Sequence, residues 1–192
     1  MTWRELSLFS GYCGFTLGLR LAGLDIRTVG YVDNEKYIQR LIAQRIKDGF
    51  LDEAPIFSNI TTFLSDGYAA SYQGVDVITA GFPCQPHSSA GRRLGASDPR
   101  NLWPELAECI GVVRPRYVLL ENVPGLVFGA RPYVWEVLGD LSRLGYDARW
   151  GLVPAAAVGA PHLRWRWWCL AYPADDGRGT WRRSAEQAGE HE

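Results

Sequence analysis

Four side chains of this 192-residue chain combine chemical type and position in a way that suits covalent and acid–base chemistry: Cys84, Glu121, Arg164 and Arg166. Cys84 follows the β-prone run Val75-Asp76-Val77-Ile78-Thr79, within Gly81-Phe82-Pro83-Cys84-Gln85-Pro86-His87-Ser88. A cysteine just past the carboxyl end of a strand lies where α/β proteins bind ligands, and its thiolate is a strong nucleophile. An ordinary thiol is mostly protonated near neutrality, so this one needs a helix start or a nearby arginine to lower its pKa. Glu121 ends a second apolar run, Tyr117-Val118-Leu119-Leu120, where a carboxylic acid can hand over or take up a proton. Arg164 and Arg166 alternate along a third run and are expected to share a face, from which guanidinium groups hold carbonyl, carboxylate or phosphate oxygens. The plainer readings are a small buried thiol, a loop-capping acid and surface arginines. Cys109 and Cys169 do read that way, because they sit inside apolar helical and strand patterns.

A second constellation stands nearer the N-terminus. The run Leu6-Ser7-Leu8-Phe9 leads into Phe9-Ser10-Gly11-Tyr12-Cys13-Gly14-Phe15 and a helix expected to open near Thr16. Glycines at a strand-to-helix turn let backbone amides approach a ligand, and the helix that follows presents unpaired N–H groups. Glu35 follows the next apolar run in Val32-Asp33-Asn34-Glu35, about 20 residues past the turn, where a carboxylate accepts ribose hydroxyl protons. Turn and acid together point to an adenosine-containing cofactor without separating NAD from S-adenosylmethionine.

The elements that must position these groups follow from hydropathy. Short β-rich runs alternate with segments of helical period, which predicts an α/β fold with a parallel sheet covered by helices. Expected strands are Leu6–Phe9, Thr28–Val32, Val75–Thr79 and Tyr117–Leu120, with a weaker one through Ile56. Tyr37, Ile38, Leu41, Ile42 and Ile46 mark one helix, and Val134, Val137, Leu138, Leu141 and Leu144 another. Ala148–Val153 and Arg166–Ala171 are expected to close the sheet as an antiparallel edge pair. After Pro173 the chain turns polar, so a unit over 1–172 and a tail over 173–192 without fixed structure are expected.

Composition narrows the class further. The formal net charge is −1, so the overall field gives no sign of nucleic acid; the arginines nevertheless gather at Arg92-Arg93, Arg100, Arg164-Trp165-Arg166 and Arg182-Arg183. No apolar run reaches the roughly 20 residues of a membrane span, and the first residues lack signal-peptide character, so a soluble, cytoplasmic protein is expected. Four scattered cysteines argue against a disulfide framework. Cys84 and His87 have the spacing of a zinc-ligand pair, but the sequence offers too few partners for them.

Taken together, the motifs resemble those of the DNA cytosine-5 methyltransferase family, in the family's order and nearly to Tyr172. Pro83-Cys84-Gln85 is similar to its nucleophile motif, Glu121-Asn122-Val123 to its Glu-Asn-Val motif and Phe9-Ser10-Gly11 with Gly14 to its cofactor turn. His162-Leu163-Arg164-Trp165-Arg166 stands for Gln-x-Arg-x-Arg. The resemblance implies a Rossmann-like methyltransferase fold acting on double-stranded DNA. It also implies a methyl group carried from S-adenosyl-L-methionine to C5 of a flipped-out cytosine through a covalent Cys84–C6 adduct, as in restriction-modification systems. Glu121 would act at N3, and Arg164 and Arg166 at O2 and neighbouring phosphate or carboxylate groups. Cofactor contacts implied are Phe9, Ser10, Gly11, Gly14, Phe15, Glu35, Asn59, Ile60, Phe82 and Leu102, with no metal.

Departures from the family pattern qualify this. Cys13 replaces a usual glycine and is expected to add a side chain near the cofactor; Asn59 replaces an aspartate whose role an amide oxygen can keep; His162 replaces a glutamine. The family's target-recognition segment and its later Gly-Asn motif have no counterpart in the sequence. A second chain supplying them, or a remnant that binds cofactor or DNA without turnover, are the alternatives this opens. An NAD-dependent redox enzyme would leave Pro-Cys-Gln and Glu-Asn-Val without a role.

Overall fold

A computed structural model describes residues 1–83, 101–128 and 132–174. Seven strands form one sheet: β1 (Trp3–Leu8), β2 (Ile26–Val32), β3 (Ile56–Phe57), β4 (Val77–Ala80), β5 (Tyr117–Asn122), β6 (Tyr146–Pro154) and β7 (Trp165–Pro173). Their order is β3-β2-β1-β4-β5-β7-β6, parallel from β3 to β5. β7 then runs antiparallel between β5 and β6, so the expected edge pair is present with the later strand placed inside.

Alternation along β1 divides the two faces of the sheet. Leu6 and Leu8 enter the main core with Ile78, Val118, Leu120 and the aromatic residues Trp103 and Trp167. Helices α3 (Ile60–Ser65), α4 (Trp103–Val113) and α5 (Val134–Arg143) contribute to that core. On the other face, α2 (Lys36–Lys47) buries Ile38 and Ile42 against Tyr31 and Leu51. There α1 (Gly14–Leu21) lays Leu19 with Trp3, Val77 and Tyr117. Both expected helical stripes are therefore helices, and the strand through Ile56 is a two-residue edge strand.

Connectivity makes the site. From β1 the chain winds outward to β2 and β3, then returns to β4 on the other side of β1 and continues to β5. The loops leaving β1 and β4 diverge at this reversal, and in open α/β sheets the crevice there receives the ligand. The loop after β1 is the glycine turn, and the one after β4 begins Gly81-Phe82-Pro83. Cys84 itself, His87, the Arg92-Arg93 pair, Arg100 and the tail from residue 175 lie outside the described residues. No helix among the described residues is long and apolar enough to cross a membrane.

Candidate active site

The turn after β1 reverses through three left-handed residues, Phe9 (φ 51°), Gly11 (φ 51°) and Cys13 (φ 56°). Glycine takes that conformation freely; Phe9 and Cys13 take it under strain and so must be held. Ser10 does part of this, donating its hydroxyl to the Ser7 carbonyl at 2.9 Å and accepting the Cys13 amide on its own carbonyl at 2.8 Å. Asp33 does the rest. Its Oδ2 accepts the Gly11 amide and its Oδ1 the Glu35 amide, both at 2.9 Å, so one nearly buried carboxylate ties the glycine turn to the loop after β2.

Sequence reasoning chose Glu35 as the ribose acid and passed over Asp33. Glu35 is exposed at the start of α2, whereas Asp33 is the first residue beyond β2 and hence at the sheet edge itself. Cys13 corrects an expectation. Its side chain does not stand in the cofactor space; it is buried among Tyr31, Ile38, Ile42 and Leu51, where burial, reinforced by Glu5 and Asp33, pushes the thiol up to about 12. The helix α1 opens at Gly14, where an added Cβ would meet no heavy atom within 4 Å, and no side chain caps it.

The remaining cofactor candidates divide by burial. Asn59 caps α3, its side-chain oxygen accepting the Thr62 amide at 2.8 Å, and Ile60 after it is buried in the core. Phe82 is also buried, its ring 5.2 Å from that of Trp103, so its accessible groups are backbone ones. Leu102 is half-buried at the start of α4.

At the far side of the crevice, Glu121 is the penultimate residue of β5 and pairs in register with Trp168 of β7. Arg166 reaches it from β7, Nε to Oε1 at 2.7 Å, and also donates to the Trp165 carbonyl. Burial raises the Glu121 pKa from its ordinary value, and this outweighs the lowering by Arg166 and Arg164. Arg164 does not alternate with Arg166 along a strand as expected. It precedes β7 in a left-handed conformation (φ 32°), yet both arginines, with Trp168, Val153, Pro154 and Val158, line one cleft of about 350 Å3. His162 is exposed on the same loop.

Contacts join the two halves. Phe15 of α1 packs edge-on to Trp168 with ring centroids 5.7 Å apart, and a Cβ at Gly81 would lie 3.4 Å from Glu121 Oε2 and 3.9 Å from the Phe15 ring. Asn122, buried beside Glu121, donates to the Phe82 carbonyl at 3.0 Å and accepts the Val123 amide at 2.8 Å. It thereby fixes the segment leading into Cys84 against the strand that carries the acid. Cys109 and Cys169 are buried with thiols pushed up to about 12 by burial, consistent with inert core residues. No group of three potential metal ligands occurs among the described residues.

Comparison with known proteins matches residues 3–187 to the family model described as C-5 cytosine-specific DNA methylase. The Type II methyltransferase M.CviJI of Paramecium bursaria Chlorella virus IL3A is 31% identical over 177 residues, which cover 91% of this chain and 44% of the relative. The Type II methyltransferase M.NgoMIV of Neisseria gonorrhoeae is 31% identical, over 85% of this chain and 50% of its own. The chain thus spans about half the length of these curated relatives. Among solved structures, the S. pombe Dnmt2 methyltransferase superposes with a TM-score of 0.71 at 23% identity, covering 92% of this chain and 51% of that one. A putative DNA modification methyltransferase encoded within an E. coli prophage gives 0.69 at 22%, over 89% and 47%. Identities this low speak for the fold alone.

Proposed function

The chain belongs to the C-5 cytosine-specific DNA methylase family, and on that premise we propose that residues 1–172 form the catalytic unit of a DNA cytosine-5 methyltransferase whose base-reading part is supplied by further polypeptide. The observation that carries this reading is that Arg166, which lines one cleft with Arg164, is paired with Glu121, whose other oxygen lies beside Gly81 at the start of the loop that leads into Cys84. Cytosine C5 is too weak a nucleophile to accept a methyl group directly. The Cys84 thiolate bonds to C6, the displaced electron pair makes C5 nucleophilic, and N3 takes a proton from Glu121. A carboxyl whose pKa is raised by burial keeps more of its acid form for that donation, and Arg166 holds its other oxygen in place. Once C5 carries the methyl group, loss of its proton expels the thiolate from C6, and N3 returns its proton to Glu121, which restores the ring. Within a duplex C6 is shielded by stacking, so the substrate base must rotate out into the cleft.

The residues around the glycine turn fit an adenosyl cofactor. The space above Gly14 is open, α1 begins without a side-chain cap, and Asp33 and Glu35 provide carboxylates beside the turn. Asn59 Oδ1 accepts the Thr62 amide at 2.8 Å and lies 3.1 Å from the Thr62 hydroxyl, which can turn to the Asn59 carbonyl at 3.3 Å and so free a lone pair for an adenine amino group. S-adenosyl-L-methionine, when bound there, supplies the methyl group.

A duplex containing 5-fluorocytosine tests the reading, because fluorine at C5 cannot leave as a proton and the adduct is trapped. With S-adenosyl-L-methionine present, a covalent protein–DNA species is expected from the chain together with a recognition partner, and none from Cys84→Ser. Absence of adduct with a partner supplied defeats the reading. The alternative outcome is a module that binds cofactor or DNA without turnover. Calorimetric binding of S-adenosyl-L-methionine without any adduct identifies it.

A further inference from the structure

Glu5 lies in the middle of the sheet with no exposed surface, yet it carries a carboxylate. Three threonine hydroxyls satisfy it, each at 2.7 Å: Thr16 and Thr28 donate to Oε2, and Thr79 donates to Oε1. All three threonines are fully buried, and they come from three elements, α1, β2 and β4. A register shift between Glu5 and Leu6 sets Thr28 directly opposite Glu5. A threonine hydroxyl has one proton to give, so each of the three is committed to this acceptor.

The arrangement matters because the apolar face of α1 is thin, with Leu19 against Trp3, Val77 and Tyr117 and Phe15 edge-on to Trp168, both only partly buried. Thr16 is its buried residue; Leu17 is 45% exposed and Leu21 is 89% exposed. Helices in proteins are normally held by an apolar face. Here the first turn is held by the Thr16–Glu5 bond, and the last by Arg20, which donates to Asp52 and to the Phe50 carbonyl. The first turn is also where the glycine turn delivers the chain.

We propose that Glu5 is a positioning residue for the cofactor site, fixing the start of α1 through Thr16 so that the amides of that helix's first turn, which have no partner within the helix, face the ligand in one geometry. This rests on reading the glycine turn as the S-adenosyl-L-methionine site. The three threonines make the claim specific. Thr28 and Thr79 tie Glu5 to neighbouring strands that the backbone ladder already holds, so their bonds contribute stability; of the three, the Thr16 bond is the one that reaches the helix.

The test compares shape-conserving variants of the full chain by calorimetric binding of S-adenosyl-L-methionine, thermal unfolding and amide hydrogen exchange. Thr16→Val is expected to weaken binding about tenfold, the cost of roughly one lost directional bond, and to speed exchange across residues 10–17. Thr16→Ser, which keeps the hydroxyl, restores both. Thr79→Val lowers Tm and leaves affinity and exchange at 10–17 near wild type. Equal losses of affinity from Thr16→Val and Thr79→Val, in proportion to their losses in Tm, overturn the proposal. If the unmodified chain does not bind S-adenosyl-L-methionine, the cofactor reading fails, and exchange decides this one: acceleration confined to 10–17 in Thr16→Val upholds a positioning role, uniform acceleration defeats it. Should Thr16→Val not fold, Glu5→Gln, with one acceptor oxygen in place of two, is expected to show the same local exchange signature.

Discussion

Arg166 and Glu121 face each other across the antiparallel junction of β7 and β5, Nε to Oε1 at 2.7 Å, each with about a quarter of its side chain exposed. Burial wins over this pairing and leaves the Glu121 carboxyl above its ordinary value of 4.5, with Arg166 the largest opposing influence and Arg164 the next. Replacing Arg166 by Gln is therefore expected to raise the Glu121 pKa further, as read by the carboxyl-carbon chemical shift during titration. A carboxyl whose folded-state pKa is raised favours folding below the unfolded value, and that contribution is lost as pH rises through the folded-state value. The loss should accordingly extend to higher pH in Arg166→Gln. A Glu121 pKa that stays put or falls in the variant contradicts the assigned balance.

Asn122 gives a second prediction, because it uses both ends of its amide. Asn122→Asp keeps an acceptor for the Val123 amide but turns an oxygen toward the buried Phe82 carbonyl, whereas Asn122→Ala leaves both groups unpaired. Either change should cost about 1–3 kcal/mol by denaturant unfolding. Either should also slow trapping on the 5-fluorocytosine duplex, since Phe82 is two residues from Cys84. Normal trapping with reduced stability would show that the Asn122 bond supports only the fold.

Asp33 is the third. Its two oxygens bridge the glycine turn and the loop after β2, and an amide can replace only one of them. Asp33→Asn is expected to weaken S-adenosyl-L-methionine binding and lower stability by about 1–2 kcal/mol. Glu35→Ala, an exposed change at the start of α2, should leave stability near wild type and act on affinity alone. Equal stability losses in the two variants would count against the bridge.

These residues also show what the sequence made legible. The positions of Glu121 and the glycine turn at strand ends were readable because β-rich runs mark strand ends well. The Asp33 bridge was not, since no local pattern marks which of two acids within three residues accepts the Gly11 and Glu35 amides. Arg164 was placed on the wrong side of a strand start: whether alternation applies depends on the single residue at which the β7 ladder begins. Trp168 reads as one more β-prone residue until pairing sets it opposite Glu121, against Phe15. The Glu5 cluster joins residues up to 74 positions apart, and no local pattern marks a threonine as the partner of a distant carboxylate.

Gly30 tests the packing of β2 against the segment around Tyr72. It lies within β2, where a Cβ would sit 2.8 Å from Tyr72 Cε1 and 2.9 Å from Tyr72 Cζ and Oη. That ring is itself confined, 5.5 Å from the Phe63 ring and 6.1 Å from the Phe57 ring between centroids, so it cannot retreat without disturbing both. Gly30→Ala is expected to lose about 1–3 kcal/mol in denaturant unfolding from overpacking, although alanine otherwise suits a strand interior better than glycine. Tyr72→Leu shortens the ring side chain and alone leaves a small void. Because each change relieves the other, the double variant should be more stable than the sum of the single losses predicts, by an amount outside the usual ~0.5 kcal/mol scatter of independent sites. Strict additivity would mean that β2 and the segment around Tyr72 do not press on one another as the structure places them.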